Sequence, residues 1–144
     1  MKLAILLVMM AAVPGQAPAQ APVPTRSVWD AVFTSEQAKR GQPLYNKECG
    51  ACHGSSLSGG ESAPPLAGSE FLSTWNGLTV GDLFERVRKT MPAGKPGKLS
   101  REVNADIVAF LLAFNEFPAG EKELPRLTEV LADIRIEATK PEKK

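Results

Sequence analysis

Apolar positions recur at three- and four-residue steps in three stretches of the chain, as expected of helices with one buried face. The first stretch follows Thr34-x-x-Gln37, a helix-capping pattern, and sets Ala38, Gly41, Tyr45 and Cys49 along one side. Pro43 is a fault in it. Proline lacks an amide donor and crowds the preceding turn, so this helix either kinks at Pro43 or begins there. The second opens at Thr79, with Asp82 in its first turn, and places Val80, Leu83, Phe84 and Val87 opposite Glu85, Arg86, Arg88 and Lys89. Pro92 stops it. The third is capped by Ser100, turns Val103, Ile107, Phe110, Leu111 and Phe114 inward, and ends at Phe117-Pro-Ala-Gly120.

The intervening segments read differently. From Gly54 to Gly68 the Gly, Ser and Pro content excludes long regular structure, and Met91 to Gly97 is a loop stiffened by two prolines. Trp29 and Phe33 mark a short segment packed on the domain surface. Beyond Gly120 the chain is charged, yet Leu124, Leu127, Val130, Leu131, Ile134 and Ile136 recur through it. This extension is expected to wrap on the domain, with Lys140 to Lys144 disordered. No alternating strand pattern and no internal repeat is present, so the fold class is all-α with long loops.

At the N-terminus, Lys2 precedes the apolar run Leu3 to Val13, and Ala17-Pro-Ala19 or Ala19-Gln-Ala21 follows as a small-residue cleavage site. The run falls short of the roughly 20 apolar residues that span a bilayer, so residues 1–21 are read as a signal peptide rather than an anchor. A periplasmic or otherwise exported protein is implied, without stable membrane insertion after cleavage. Residues 14 to 27, rich in Pro, Ala and Gln, form a flexible leader. The whole chain carries 17 basic and 16 acidic side chains; cleavage removes one lysine and leaves the mature chain neutral. Such a balance gives no support for nucleic-acid binding.

The chemistry is concentrated in Cys49-Gly-Ala-Cys52-His53. Two thiols three residues apart share one face of a helical turn, so both can reach the vinyl groups of one porphyrin, and the next imidazole falls over the ring centre. This is a covalent haem c attachment site for one haem, and His53, the single histidine in the chain, is its proximal iron ligand. Met91 is the one methionine left after cleavage, since Met1, Met9 and Met10 leave with the signal. Its thioether is a candidate second axial ligand, pinned by Pro92 outside helical geometry; the bland alternative is core filler. Trp75 is either a donor to a haem propionate or plain core.

Taken together, Gly41-x-x-x-Tyr45-x-x-x-Cys49-x-x-Cys52-His53, Pro64-Pro65-Leu66-Ala-Gly68, Thr90-Met91-Pro92 and Asp106-Ile-Val-Ala-Phe110 resemble a class I cytochrome c. The chain is most similar in flavour to small exported cytochromes like the haem domains of quinoprotein dehydrogenases. The resemblance implies a cytochrome c domain over 34–120, after a leader and packed segment at 22–33, with 121–144 as an extension. It implies that Pro65, with Pro64 as a nearby substitute, offers the carbonyl that accepts the second ring N–H of His53. It also implies that Gly41 and Tyr45 pack against the last helix through Ile107 and Phe110.

The implied activity is electron transfer between a dehydrogenase donor and a cytochrome or oxidase acceptor, without catalysis. Arg86, Arg88, Lys89, Lys95, Lys98 and Arg101 bracket Met91 with no acid among residues 86 to 101, a patch that would steer an acidic redox partner. A merely solvated face is the plainer alternative. Three rivals stand beside this reading: a dedicated haem subunit of a quinoprotein-type dehydrogenase complex, a gas-binding or peroxidase-like haem protein, and a thiol–disulfide oxidoreductase using Cys49 and Cys52. The last would want its first cysteine at a helix start after a strand, and no such pattern surrounds the pair.

Overall fold

The computed structural model describes residues 23–142. The signal peptide expected over 1–21 and the last two lysines lie outside them. In chain order the elements are β1 (Arg26–Ser27), a 3-10 turn (Val28–Asp30), α1 (Ser35–Glu48), α2 (Gly50–His53), α3 (Gly68–Trp75), α4 (Val80–Thr90), α5 (Arg101–Phe114), α6 (Thr128–Leu131) and β2 (Ile134–Arg135). The fold is all-α, with one two-residue parallel pairing of β1 and β2, Arg26 opposite Ile134 and Ser27 opposite Arg135.

α1 and α5 form the frame. They cross at Gly41, where a Cβ would lie 1.9 Å from the Asp106 carbonyl oxygen and 2.9 Å from Phe110 Cβ. Only a residue without a side chain permits that approach. Beside the crossing, Tyr45 meets Phe110 at a ring-centroid distance of 5.3 Å. Arg40 grips Asp106 through Nε and Nη2, each 3.1 Å from a carboxylate oxygen, and its Nη2 also reaches Glu123 at 2.8 Å. α1 runs unbroken through Pro43. Pro43 and Lys39 are both exposed, so the Lys39 carbonyl that lost its amide partner remains open to water.

The Thr79–Asp82 capping box and the Ser100 cap form as the sequence implies, Thr79 Oγ1 accepting from Asp82 N at 3.1 Å and Ser100 Oγ from Val103 N at 3.2 Å. Thr34 caps α1 in the same way, but the Gln37 side chain does not close the box. It turns into the core, donates to the Leu124 carbonyl at 3.1 Å and accepts from the Leu124 amide at 2.6 Å. This two-way amide pairing is how the chain beyond Gly120 is first tied down.

From there the extension runs as a strap. Leu124, Leu131, Ile134 and Ile136 are buried in the main core with Phe71, Leu83, Phe84 and Leu112, whereas Leu127 and Val130, part of the same apolar recurrence, are 52% and 43% exposed. The strap closes on α4 at Gly81, where a Cβ would meet Ala132 N at 2.8 Å. It then pairs with the α3–α4 turn through Gly77 N to Ile136 O and Ile136 N to Leu78 O, both 2.8 Å. Finally it takes the Trp29 indole N–H on the Glu137 carbonyl at 2.9 Å. Lys140 to Glu142 are exposed and without regular structure.

Phe114 also departs from expectation. It is 42% exposed, stacked edge-on against Phe110 at 5.8 Å, because it sits on the rim of a surface groove between the ends of α1 and α5 rather than on the face toward the core.

Candidate functional site

α1 ends at Cys49, whose amide bonds to the Tyr45 carbonyl at 2.8 Å. The backbone leaves helical geometry for that one residue and re-enters it as α2. Cys52 N and His53 N both bond back to the Cys49 carbonyl, at 3.2 and 3.0 Å, so the motif is one helical turn as its spacing requires. Tyr45 is fully buried under this turn and donates its hydroxyl to the Gly54 carbonyl at 2.8 Å; burial pushes its phenol up to about 12. Both cysteines are free thiols. Burial, and behind it the Glu48 carboxylate, pushes the Cys49 thiol up to about 11.

After His53 the chain folds back on itself. Gly59 N bonds to His53 O, Gly60 N to Ala63 O, and Leu66 N to Leu57 O, at 2.8–2.9 Å. The turn hinges on Gly59 at φ +76°, where a Cβ would stand 2.7 Å from both Ala63 O and Pro65 N. The fold-back brings the Pro64 carbonyl to 2.8 Å from His53 Nδ1. A carbonyl only accepts, so Nδ1 carries a proton, and in the neutral ring that leaves the lone pair on Nε2. The partner is therefore Pro64 and not Pro65. The resemblance implied Pro65 with Pro64 as its substitute; the substitute is the partner because the Gly60–Ala63 and Leu66–Leu57 bonds set the phase of the loop.

His53 is buried, at 6% exposure, and lines a cavity of about 690 Å³. The volume falls within the roughly 300–1,000 Å³ of sites that enclose a cofactor-sized ligand. Cys49, Cys52, Pro65, Trp75 and Met91 line the same space, so every residue singled out as a site candidate is brought to it. The remaining walls are largely apolar: Leu66, Phe71, Leu83, Val87, Ile107 and Leu111. Met91 stands at the first position past α4 in extended conformation, φ −119° and ψ 154°. Trp75 packs on Phe71, ring centroids 6.3 Å apart, with no acceptor on its indole N–H among the described residues. Two free thiols, an imidazole with a committed tautomer and a thioether around one apolar cavity fit a covalently attached haem.

Asn115, the residue that follows α5, supports the site. Its side chain, 9% exposed, accepts from Gly68 N at 3.0 Å and donates to the carbonyls of Leu66 and Leu111 at 3.0 and 2.9 Å. It fastens the segment after the proline pair to the end of α5 and starts α3, which has no local cap of its own.

The basic patch is not a set of six free cations. Glu85, one residue outside the acid-free window, takes Arg88 Nε at 2.8 Å and Lys89 Nζ at 2.9 Å, and Lys98 bonds to Glu48 at 2.5 Å. Arg101 lies over the Phe84 ring and donates to the Arg126 carbonyl at 3.2 Å, away from the cavity lining. Arg86, on the cavity wall, and Lys95 have no carboxylate partner among the described residues. Among the described residues no helix is long and apolar enough to cross a membrane.

The family model described as cytochrome c oxidase, cbb3-type, subunit III matches residues 36–111, more than half of the 144-residue chain. No curated protein matches. A solved structure, the sulfane dehydrogenase SoxCD from Paracoccus pantotrophus, is 26% identical over 62% of this chain and 53% of that one, with a TM-score of 0.45. The chain thus spans about half the length of that solved chain. The matched span carries α1, the attachment turn, the proline pair, Met91 and most of α5, and by it the chain belongs to the class I c-type cytochromes, electron-transfer proteins whose cofactor is covalently bound haem c.

Proposed function

We propose that this is an exported single-haem carrier that moves one electron at a time from a dehydrogenase to a downstream cytochrome or oxidase, with His53 and Met91 as the two axial ligands. The observation that carries the reading is the fixed tautomer of His53. With Nδ1 committed to Pro64, the Nε2 lone pair is presented in a buried, apolar cavity whose lining includes a single thioether, Met91. Bound haem supplies a ferric–ferrous couple. Cys49 and Cys52 would anchor it, and His53 and Met91 would ligate its iron. The protein also encloses the ring in apolar walls that exclude water. Two protein ligands leave no open coordination site for a substrate, which favours outer-sphere electron transfer over catalysis. Trp75, a half-buried indole at the cavity wall, is proposed to donate to a propionate. Arg86 and Lys95, the two cations of the patch without carboxylate partners, are proposed to guide an acidic redox partner.

The test is a visible spectrum of the mature protein, in both redox states, made in a host able to attach haem c and followed by intact mass. One haem covalently added and a low-spin ferric spectrum are expected, and Met91→Ala should give a centre that accepts added ligands. A mass equal to that of the polypeptide alone overturns the reading, and an unchanged Met91→Ala spectrum removes Met91 from the iron. A second reading, a haem subunit held within an enzyme complex, draws support from the family's description as an oxidase subunit. Native purification separates the two, a carrier eluting alone and a subunit with its enzyme.

A further inference from the structure

We infer that Lys98 and Glu48 form a latch that holds the Met91-bearing loop against the haem-attachment helix, making both of them positioning residues for the sixth ligand. The inference rests on Met91 being that ligand.

The loop from Met91 to Leu99 joins α4 to α5 and forms part of the cavity wall. Its own hydrogen bonds are local turns, Lys95 N to Pro92 O at 2.8 Å and Lys98 N to Lys95 O at 3.4 Å. At its near end Met91 N continues the α4 ladder to Val87 O at 3.0 Å. At its far end Asn104 Nδ2 holds the Leu99 carbonyl at 3.1 Å, and Leu99 packs beside Tyr45 and Ile107. These contacts tie the loop to its two flanking helices and, at its far end, through Leu99, to the cluster around Tyr45 of α1. Among the described residues, one side-chain bond joins the loop to the attachment helix, Lys98 Nζ to Glu48 Oε2 at 2.5 Å.

Glu48 is unusual in where it stands. It is the last residue of α1, adjacent to Cys49, lines the cavity, and its side chain is only 11% exposed. A carboxylate half-sealed beside an apolar cavity is costly unless a cation answers it. The alternative partner, Lys47, is 3.8 Å away with a side chain 78% exposed, so Lys98 is the one that completes the pair. Removing Lys98 leaves Glu48 to swing toward water and leaves the loop held only at its ends. Excursions of Met91 from the iron then become more frequent, while the covalent attachment at Cys49 and Cys52 is untouched.

The test is stopped-flow binding of imidazole to the ferric holoprotein at neutral pH, where entry requires the methionine to leave first. Lys98→Ala and Glu48→Gln are each expected to raise the binding rate about five- to tenfold, the scale of a lost, partly shielded ion pair. Lys98→Arg, which keeps the charge, should stay near wild type, and the charge-swapped double variant Glu48→Lys, Lys98→Glu should restore most of the loss. The resting low-spin spectrum of Lys98→Ala should match wild type. If Lys98→Ala binds imidazole at the wild-type rate while Met91→Ala binds it fast, the latch is wrong and the ligand assignment stands. A rise that neither Lys98→Arg avoids nor the charge swap reverses also overturns the latch. A wild-type ferric spectrum without methionine ligation overturns the ligand assignment and the latch with it.

Discussion

Gly41→Ala tests the helix crossing on which the rest of the molecule is built. The added Cβ would lie 1.9 Å from the Asp106 carbonyl oxygen, against a floor of about 3.0 Å for real Cβ contacts, so α1 and α5 must part by about 1.1 Å. The obstacle is backbone on the far side, locked in the α5 ladder, and cannot rotate away. A gap of that size forfeits roughly a quarter to a half of the dispersion well for each atom pair it opens. The pairs involved include Tyr45 on Phe110 and the buried Ile107 and Leu111, which also wall the cavity. Overpacking of this kind costs about 3 kcal/mol, the upper part of its usual range. For a domain of this size each kcal/mol moves Tm by roughly 3–6 °C, so a fall of about 9–18 °C is expected.

The assay is thermal unfolding of the holoprotein followed by far-ultraviolet circular dichroism. Should Gly41→Ala unfold within about 3 °C of wild type, the close crossing is not a constraint on this fold and the argument from the glycine fails.

Two further outcomes are expected. Gln37→Leu keeps the buried volume but strands the Leu124 amide and carbonyl, a loss of about 2–6 kcal/mol at roughly 1–3 per orphaned group. Hydrogen exchange should show the Leu124 amide opening at least tenfold more often, and unchanged protection there would refute the pairing. The Arg88 guanidinium, with Thr128 and Lys89 behind it, holds the Glu85 carboxyl well below the usual glutamate range. Its folded value is thus lower than its unfolded one, near about 4.3, so the stabilisation is complete above that pH and is lost as pH falls through the folded value. Urea midpoints of wild type should therefore fall on acidification below about pH 4.3 more steeply than those of Glu85→Gln. Parallel curves for the two proteins would show that Glu85 does not couple to folding.

What could be read from the chain alone shares one property: it is local. The caps at Thr34, Thr79 and Ser100 act on amides three residues away, and the cysteine–histidine turn is closed by bonds across three and four residues. The parts that escaped are set by distant partners. α3 starts without a cap of its own because Asn115, 47 residues later, takes the Gly68 amide. Gln37 looks like the second half of a capping box, but a carbonyl and an amide 87 residues away compete for it and win. The basic run near Met91 looked unopposed because Glu48 and Glu85, which answer three of its cations, stand just outside the window or on another helix. Pro64 rather than Pro65 meets His53 because of ladder bonds closed around Gly59.

The same division runs through the site itself. Cofactor identity rests on five consecutive residues and one carbonyl eleven positions on, so it survives any arrangement of the remaining chain that keeps that loop closed. The sulfur side has no such local guarantee. α4 delivers Met91, and α4 is placed at its start by the strap, through Gly81 against Ala132 and Leu78 bonded to Ile136, and beyond its end by Lys98 on Glu48. Both restraints come from segments far away in sequence, one of them polar and on the rim of the cavity. The attachment side of the cleft is therefore the rigid half and the methionine side the adjustable one. The strap and the Lys98–Glu48 pair therefore bear on where Met91 stands in the cavity wall.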